Sequence, residues 1–109
     1  MADKNFENAF DTLKKGVADL AVTTGKQYAK QATTDGQSFL DASKASLEDW
    51  TTQLANKSLS KDDFADLLLG QKDLFALTAL KQAGMAQIDL DTFKNSVFNL
   101  IEQTIFALI

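Results

Sequence analysis

Large apolar residues recur every eleven positions through the first half of the chain, and this spacing limits what that half can form. The apolar stripe consists of Phe6, Val17, Tyr28, Phe39 and Trp50. Eleven residues make three turns at about 3.67 residues per turn, close to the 3.6 of a straight α-helix. The stripe therefore predicts an amphipathic helix whose apolar line runs nearly parallel to the helix axis.

A second track with the same period lies on the same predicted face. It consists of Phe10, Ala21, Ala32, Ser43 and Leu54. Because the chain contains no proline, a helix over residues 3–55 could run uninterrupted for roughly 80 Å. A globule of this length has a radius of gyration of only about 13 Å. A rod of that length could not be covered by its own chain, so the pattern favours contacts between copies.

The alternative is a helical hairpin with its turn at residues 33–37. Asp35-Gly36 is a turn dipeptide, and the preceding threonines are weak helix formers. A break there would give helices over 3–32 and 37–56 that fold back on each other. The stripe keeps its phase across Gly36, which a loop has no reason to do. One long helix, straight or kinked, is therefore the favoured prediction, with the hairpin as its rival.

The chain divides near residues 56–60 into two parts of one structural domain. Residues 1–57 form the amphipathic segment, and residues 58–109 are richer in Leu, Ile and Phe and form a compact helical core. We predict helices over 61–69, 72–83 and 90–108, of which the first two could be continuous through Gly70. The predicted N-caps are Ser60 and Asp89, and Gly70 and Gly84 are predicted helix ends.

The last predicted helix is the most apolar part of the sequence. Nine of the thirteen residues over 97–109 are hydrophobic, and Glu102 carries the only charge among them. A chain of this size has few elements with which to surround such a helix, and large free apolar patches are rare on monomers. We therefore predict a seam between subunits that includes Phe98, Ile101 and Ile105.

Several residue types are missing, which excludes most site chemistries. The chain has no cysteine, histidine or arginine, so disulfides, thiolate metal sites, imidazole bases and guanidinium clamps cannot occur. We predict no catalytic residue, no cofactor and no metal. The formal net charge of -4 argues against non-specific binding to nucleic acid. No secretory leader or long apolar run is evident, so the expected location is the cytoplasm.

Together these patterns predict an all-α, bundle-like protein: a long, possibly kinked or hairpinned N-terminal amphipathic helix with an 11-residue repeat, followed by a compact unit of two to three helices. We expect a non-enzymatic, self-associating interaction or assembly module, with a homo-oligomer as its form.

Two alternative functions are compatible with the sequence. The first is peripheral binding to lipid or to hydrophobic granules. In period and composition, the stripe is similar to those of exchangeable lipid-surface proteins and granule-coating phasins, although it matches no motif of those families. The second is a small acidic regulator that masks a basic surface on a protein partner.

Overall fold

Every regular element of the structure is helical, as predicted. The computed structural model describes residues 4–108, apart from the side chains of Lys4 and Asp73, and this part of the chain contains no strand. The helices are α1 (Lys4–Gly25), α2 (Ala29–Ala55), α3 (Lys61–Leu69), α4 (Thr78–Ala83) and α5 (Gln87–Phe106). Short 3₁₀ turns lie between α1 and α2 and between α3 and α4, at Lys26–Tyr28 and Lys72–Leu74.

The N-terminal half is a hairpin, with α1 and α2 packed antiparallel. Lys14 Nζ lies 2.8 Å from Asp41 Oδ1, and Lys44 Nζ lies 3.4 Å from Glu7 Oε2. In one straight helix the first pair would be about 40 Å apart. The longest dimension of the molecule is 43 Å, about half the length of the predicted rod. The favoured prediction of one continuous helix is therefore wrong; a hairpin is present, as the rival predicted, but its turn lies at Lys26–Tyr28 and not at residues 33–37.

The turn of the hairpin lies earlier in the chain than predicted. Lys26 adopts a left-handed backbone with φ 52°, which reverses the chain, whereas residues 33–37 lie inside α2. Gly36 serves the packing of the two helices. A Cβ atom at this position would overlap Val17 Cγ1 of α1, so glycine allows the helices to approach closely. The Asp35-Gly36 pair therefore does not form a local turn, and its glycine is explained by a tertiary contact between the two helices.

The core lies between α1, α2 and α5. α1 packs along both of the other helices, and Leu13, Leu40 and Phe93 are among the completely enclosed side chains. The accessible surface of the chain is 6260 Å², close to the roughly 6000 Å² expected for a monomer of this mass. The chain therefore covers its own apolar stripe, contrary to the expectation for a long rod.

α3 begins and ends at the predicted residues. The backbone N–H of Asp63 donates to Ser60 Oγ at 3.0 Å, so the predicted N-cap at Ser60 is confirmed. Phe64 fixes the helix to the core, because its ring contacts Trp50 of α2 and Phe106 of α5 in edge-to-face geometry. These contacts join the C-terminal unit to the end of the hairpin that lies away from the turn.

Helix ends in the second half partly follow the predictions. Gly84 has φ 92° and ends α4 as predicted, with the Met85 N–H donating to the Leu80 carbonyl. Gly70 follows the last residue of α3, as predicted, but its backbone angles are right-handed, so this helix ends without a left-handed glycine. The chain between Gly70 and α4 forms a short turn and an irregular segment, so only the last part of the helix predicted over 72–83 is present, as α4, and no helix continues through Gly70.

The start of α5 also differs from the prediction. The helix begins at Gln87, three residues earlier than predicted, and Ala86 occupies the N-cap position. Asp89 lies within the first turn, where its charge complements the helix dipole without capping it.

Candidate functional site

The structure brings the nine residues predicted for packing or interface together in the core of a single chain. Tyr28 and Trp50 are half-buried and pack against this core. The other seven are buried: Phe6, Phe10, Val17, Phe39, Phe98, Ile101 and Ile105. Their inward position agrees with the packing role, whereas a role between copies of the chain stays a prediction. Lipid or granule binding by the stripe would require the bundle to open.

The second 11-residue track is also buried throughout its length. Its five members, Phe10, Ala21, Ala32, Ser43 and Leu54, are at most 4% exposed. Within the described part of the chain, the Ser43 hydroxyl is buried without a hydrogen-bond partner. Both tracks therefore face the contacts between the helices on each side of the turn.

An aromatic cluster at the centre of the molecule joins three parts of the chain. Phe75, from the irregular segment before α4, stacks on Phe39 of α2 with ring centroids 4.6 Å apart. The same ring contacts Phe93 and Phe98 of α5 at 6.0 and 6.1 Å. The sequence does not mark Phe75 as central, because it lies within a stretch predicted as helix over 72–83. Its position shows that the irregular segment is firmly tied to the core.

Asp35 caps a helix that is distant in sequence. Its carboxylate accepts hydrogen bonds from the backbone N–H groups of Ala79 at 3.1 Å and Leu80 at 2.8 Å, both in the first turn of α4. Leu77, the residue before α4, has a left-handed backbone with φ 54°, which is unfavourable for leucine. The Asp35 carboxylate therefore supports a helix start that has no side-chain cap of its own.

Asp35→Asn should release the first turn of α4 while the rest of the bundle stays folded. An asparagine amide offers one acceptor oxygen without a charge, and hydrogen bonds to a charged group contribute about 1.5–3 kcal/mol each. Amide hydrogen exchange at Ala79 and Leu80 should become at least about tenfold faster. Asp41→Asn removes only an exposed ion pair and should leave this exchange unchanged. Equal exchange in all three proteins would show that Asp35 does not support α4.

A half-open cavity of about 260 Å³ lies beside this cap. It is enclosed by α2 and the segment before α4, and its walls include Phe39, Phe75 and Leu74, with Ser38 and Thr78 supplying hydroxyl groups. Asp35 also lines it, but both of its carboxylate oxygens already accept backbone hydrogen bonds. The cavity thus offers a mainly apolar surface and no pair of converging carboxylates for acid–base chemistry.

Three exposed leucines lie on α3 and in the short 3₁₀ turn that follows it. The leucine segment consists of Leu67, Leu69 and Leu74, which are 38%, 56% and 59% exposed. Leu74 also forms part of the cavity wall. Single exposed apolar residues are common on proteins, but three within eight positions of the sequence are candidates for contact with a second molecule.

A smaller cavity of about 150 Å³ lies at the turn of the hairpin. The turn residues Lys26 and Tyr28 line it together with Met85 and Asp89. Among the described residues, no group of three or more His, Cys, Asp or Glu could hold a metal ion. In the same part of the chain, no helix is both long enough and apolar enough to cross a membrane.

Comparison with known proteins adds no relative from which a function could be transferred. The sequence matches no protein-family model, and its comparisons with curated proteins and with solved structures likewise give no match.

Proposed function

We propose that this chain is a non-enzymatic, self-associating helical protein that acts as an interaction module, with the cytoplasm as its proposed location. The observation that carries the proposal is the exposure of Leu67, Leu69 and Leu74, which are three of the six large apolar side chains exposed on the described part of the chain and lie close together in the sequence. The others are Val22, Ile88 and Leu108. Burying such side chains is favourable in proportion to the apolar area removed from water. A second copy of the chain supplies the same apolar surface in return.

The proposed contact uses the leucine segment, because the stripe and the residues of the C-terminal helix are already covered. In a symmetric pair the same patch of each copy faces the other. Leu69 and Leu74 would then enter the interface twice, once from each chain. The cavity beside Leu74 provides a depression with apolar walls into which a side chain of the opposite copy could fit.

The test compares the self-association of two surface variants by sedimentation equilibrium. Leu69→Ser combined with Leu74→Ser should weaken the dissociation constant by at least about tenfold, because four half-exposed leucines per dimer lose their apolar contact. Ile88→Ser makes the same kind of change at a different exposed site and should associate like the unmodified chain. A double variant that associates as tightly as the unmodified chain would exclude the leucine segment as the contact.

A second candidate function is the masking of a basic protein surface. Asp62, Asp63 and Asp66 are all exposed on α3, close to the leucine segment. Two of them also complement the helix dipole, so their charge has a local role as well. Salt distinguishes the candidates, since binding to a basic partner weakens as ionic strength rises, whereas an apolar contact between copies persists.

A further inference from the structure

The hairpin of α1 and α2 differs from a single long helix in the backbone conformation of the turn that joins them. Gly25, before the turn, and Ala29, after it, both have right-handed helical angles. Lys26 is left-handed with φ 52°, a conformation that is unfavourable for every L-residue with a side chain beyond Cα. Tyr28 departs from helical angles only moderately, with φ -101° and ψ 19°. Rotation of the backbone about Lys26, with a small adjustment at Tyr28, would straighten the segment.

The sequence of both helices is in phase for such a straightened form. The stripe continues from Phe6 and Val17 on α1 to Phe39 and Trp50 on α2 with Tyr28 in the turn. A hairpin does not require the two helices to share one phase, since each helix sets its own face. A continuous helix does require it if a single apolar face is to be kept, because eleven residues complete three turns.

α1 has a contact surface that a second copy could use without change. Its buried residues, including Phe10, Leu13 and Val17, pack on α2 and α5. If two copies exchanged α1, each of these contacts would form again with the partner, as would the ion pair of Lys14 with the partner's Asp41. The native contacts would be preserved, and the left-handed strain at Lys26 would be relieved.

We infer that two copies of this chain can exchange α1, with Lys26 as the hinge and residues 4–55 as one continuous helix in the exchanged dimer. The occupant of the α1 site is therefore a second copy of the same chain. This exchange is a route to association separate from the leucine segment, and it does not depend on that surface contact. It would place Phe6, Phe10 and Val17 of α1 at an interface between subunits, because α1 packs on α2 and α5.

Variants at the hinge test the inference through dimer affinity, measured by light scattering coupled to size-exclusion chromatography. Gly25 is helical in both forms, so Gly25→Ala acts through its Cβ, which would lie only 3.1 Å from Ala32 Cβ in the hairpin. A continuous helix separates these two positions by seven residues and removes this close contact, so the variant should strengthen the dimer. Lys26→Gly relieves the strain of the hairpin and weakens the continuous helix. It should weaken the dimer by at least about 100-fold.

Lys57→Gly is the matched control, because Lys57 is also left-handed, with φ 66°, but follows α2 rather than joining it to α1. This residue has the same conformation in both forms, so its replacement should leave the dimer affinity unchanged. A direct readout uses the absence of cysteine from the chain. Lys14→Cys and Asp41→Cys are introduced into separate chains, which are unfolded, mixed, refolded and treated with a short bismaleimide.

The expected result is a covalent product that contains one chain of each kind, formed because exchange brings position 14 against the partner's position 41. If the hinge variants leave the dimer affinity unchanged and no such product forms, the exchange is overturned. That result would leave the proposed contact through the leucine segment intact. A chain that is monomeric in every variant, including Gly25→Ala, would overturn both.

Discussion

Replacing Phe75 with alanine should lower the free energy of unfolding by about 3–5 kcal/mol. The ring is 1% exposed, and it contacts the rings of Phe39, Phe93 and Phe98. Its removal leaves a cavity at the junction of α2, α5 and the segment before α4, and it also removes three aromatic contacts. Small domains have a total stability of about 5–15 kcal/mol, so this loss would be a large part of it.

The neighbouring residue provides the control for this prediction. Leu74 is more than half exposed, so Leu74→Ala should cost less than about 1 kcal/mol. Both variants are compared by urea unfolding followed by circular dichroism. If Phe75→Ala fails to fold, Phe75→Leu retains most of the volume and should give an intermediate, measurable loss. Losses of the same small size at positions 74 and 75 would contradict the central position of Phe75.

Gly36→Ala should destabilise the protein by about 1–3 kcal/mol, although alanine is the better helix former. The added Cβ would overlap Val17 Cγ1, while the next nearest atom, Phe93 Cζ, would lie at an ordinary 3.5 Å. The cost therefore arises from one close contact between α1 and α2. The measurement is again the free energy of unfolding in urea.

A double-mutant cycle isolates that contact. Val17→Ala removes Cγ1 and should itself be destabilising, because Val17 is fully buried. In the Val17→Ala background, Gly36→Ala should become neutral or stabilising, which corresponds to a coupling energy of about 2 kcal/mol. Additive effects of the two substitutions would mean that Gly36 is not required for the close approach of the helices.

The helices and their inward faces could largely be predicted from the sequence, because periodicity reports burial directly. The second track, from Phe10 to Leu54, is buried throughout. The bounds of α3 were also predictable, since Ser60 is a local cap that acts on the third residue after it. These features depend on residues that are close to one another in the chain.

The position of the turn could not be predicted, because its causes are distant in sequence. Asp35 and Gly36 resemble a local turn in the sequence. However, Asp35 caps a helix that begins more than 40 residues later, and Gly36 makes room for Val17. Lys26, which does reverse the chain, carries no turn signal because lysine is an ordinary helix former. The same limit applies to Phe75, whose partners lie on α2 and α5.

The candidate contact surface could not be predicted from the sequence either. The strongest apolar patterns mark the stripe and the C-terminal helix, and both are used to build the core of one chain. Leu67, Leu69 and Leu74 lie among other apolar residues in the sequence. Only the packed structure, in which α3 buries Phe64 and Leu68 instead, shows that these three remain at the surface. Exposure is a property of the assembled fold.

The most direct test of self-association is light scattering on the unmodified chain across a wide range of concentrations. The account predicts a mass that rises from that of one chain, 11.9 kDa, to that of two as the concentration increases. It also predicts that the dimer persists at high salt, because both proposed contacts are apolar. A mass that stays at 11.9 kDa up to the highest concentration would contradict self-association as the basis of the protein's function.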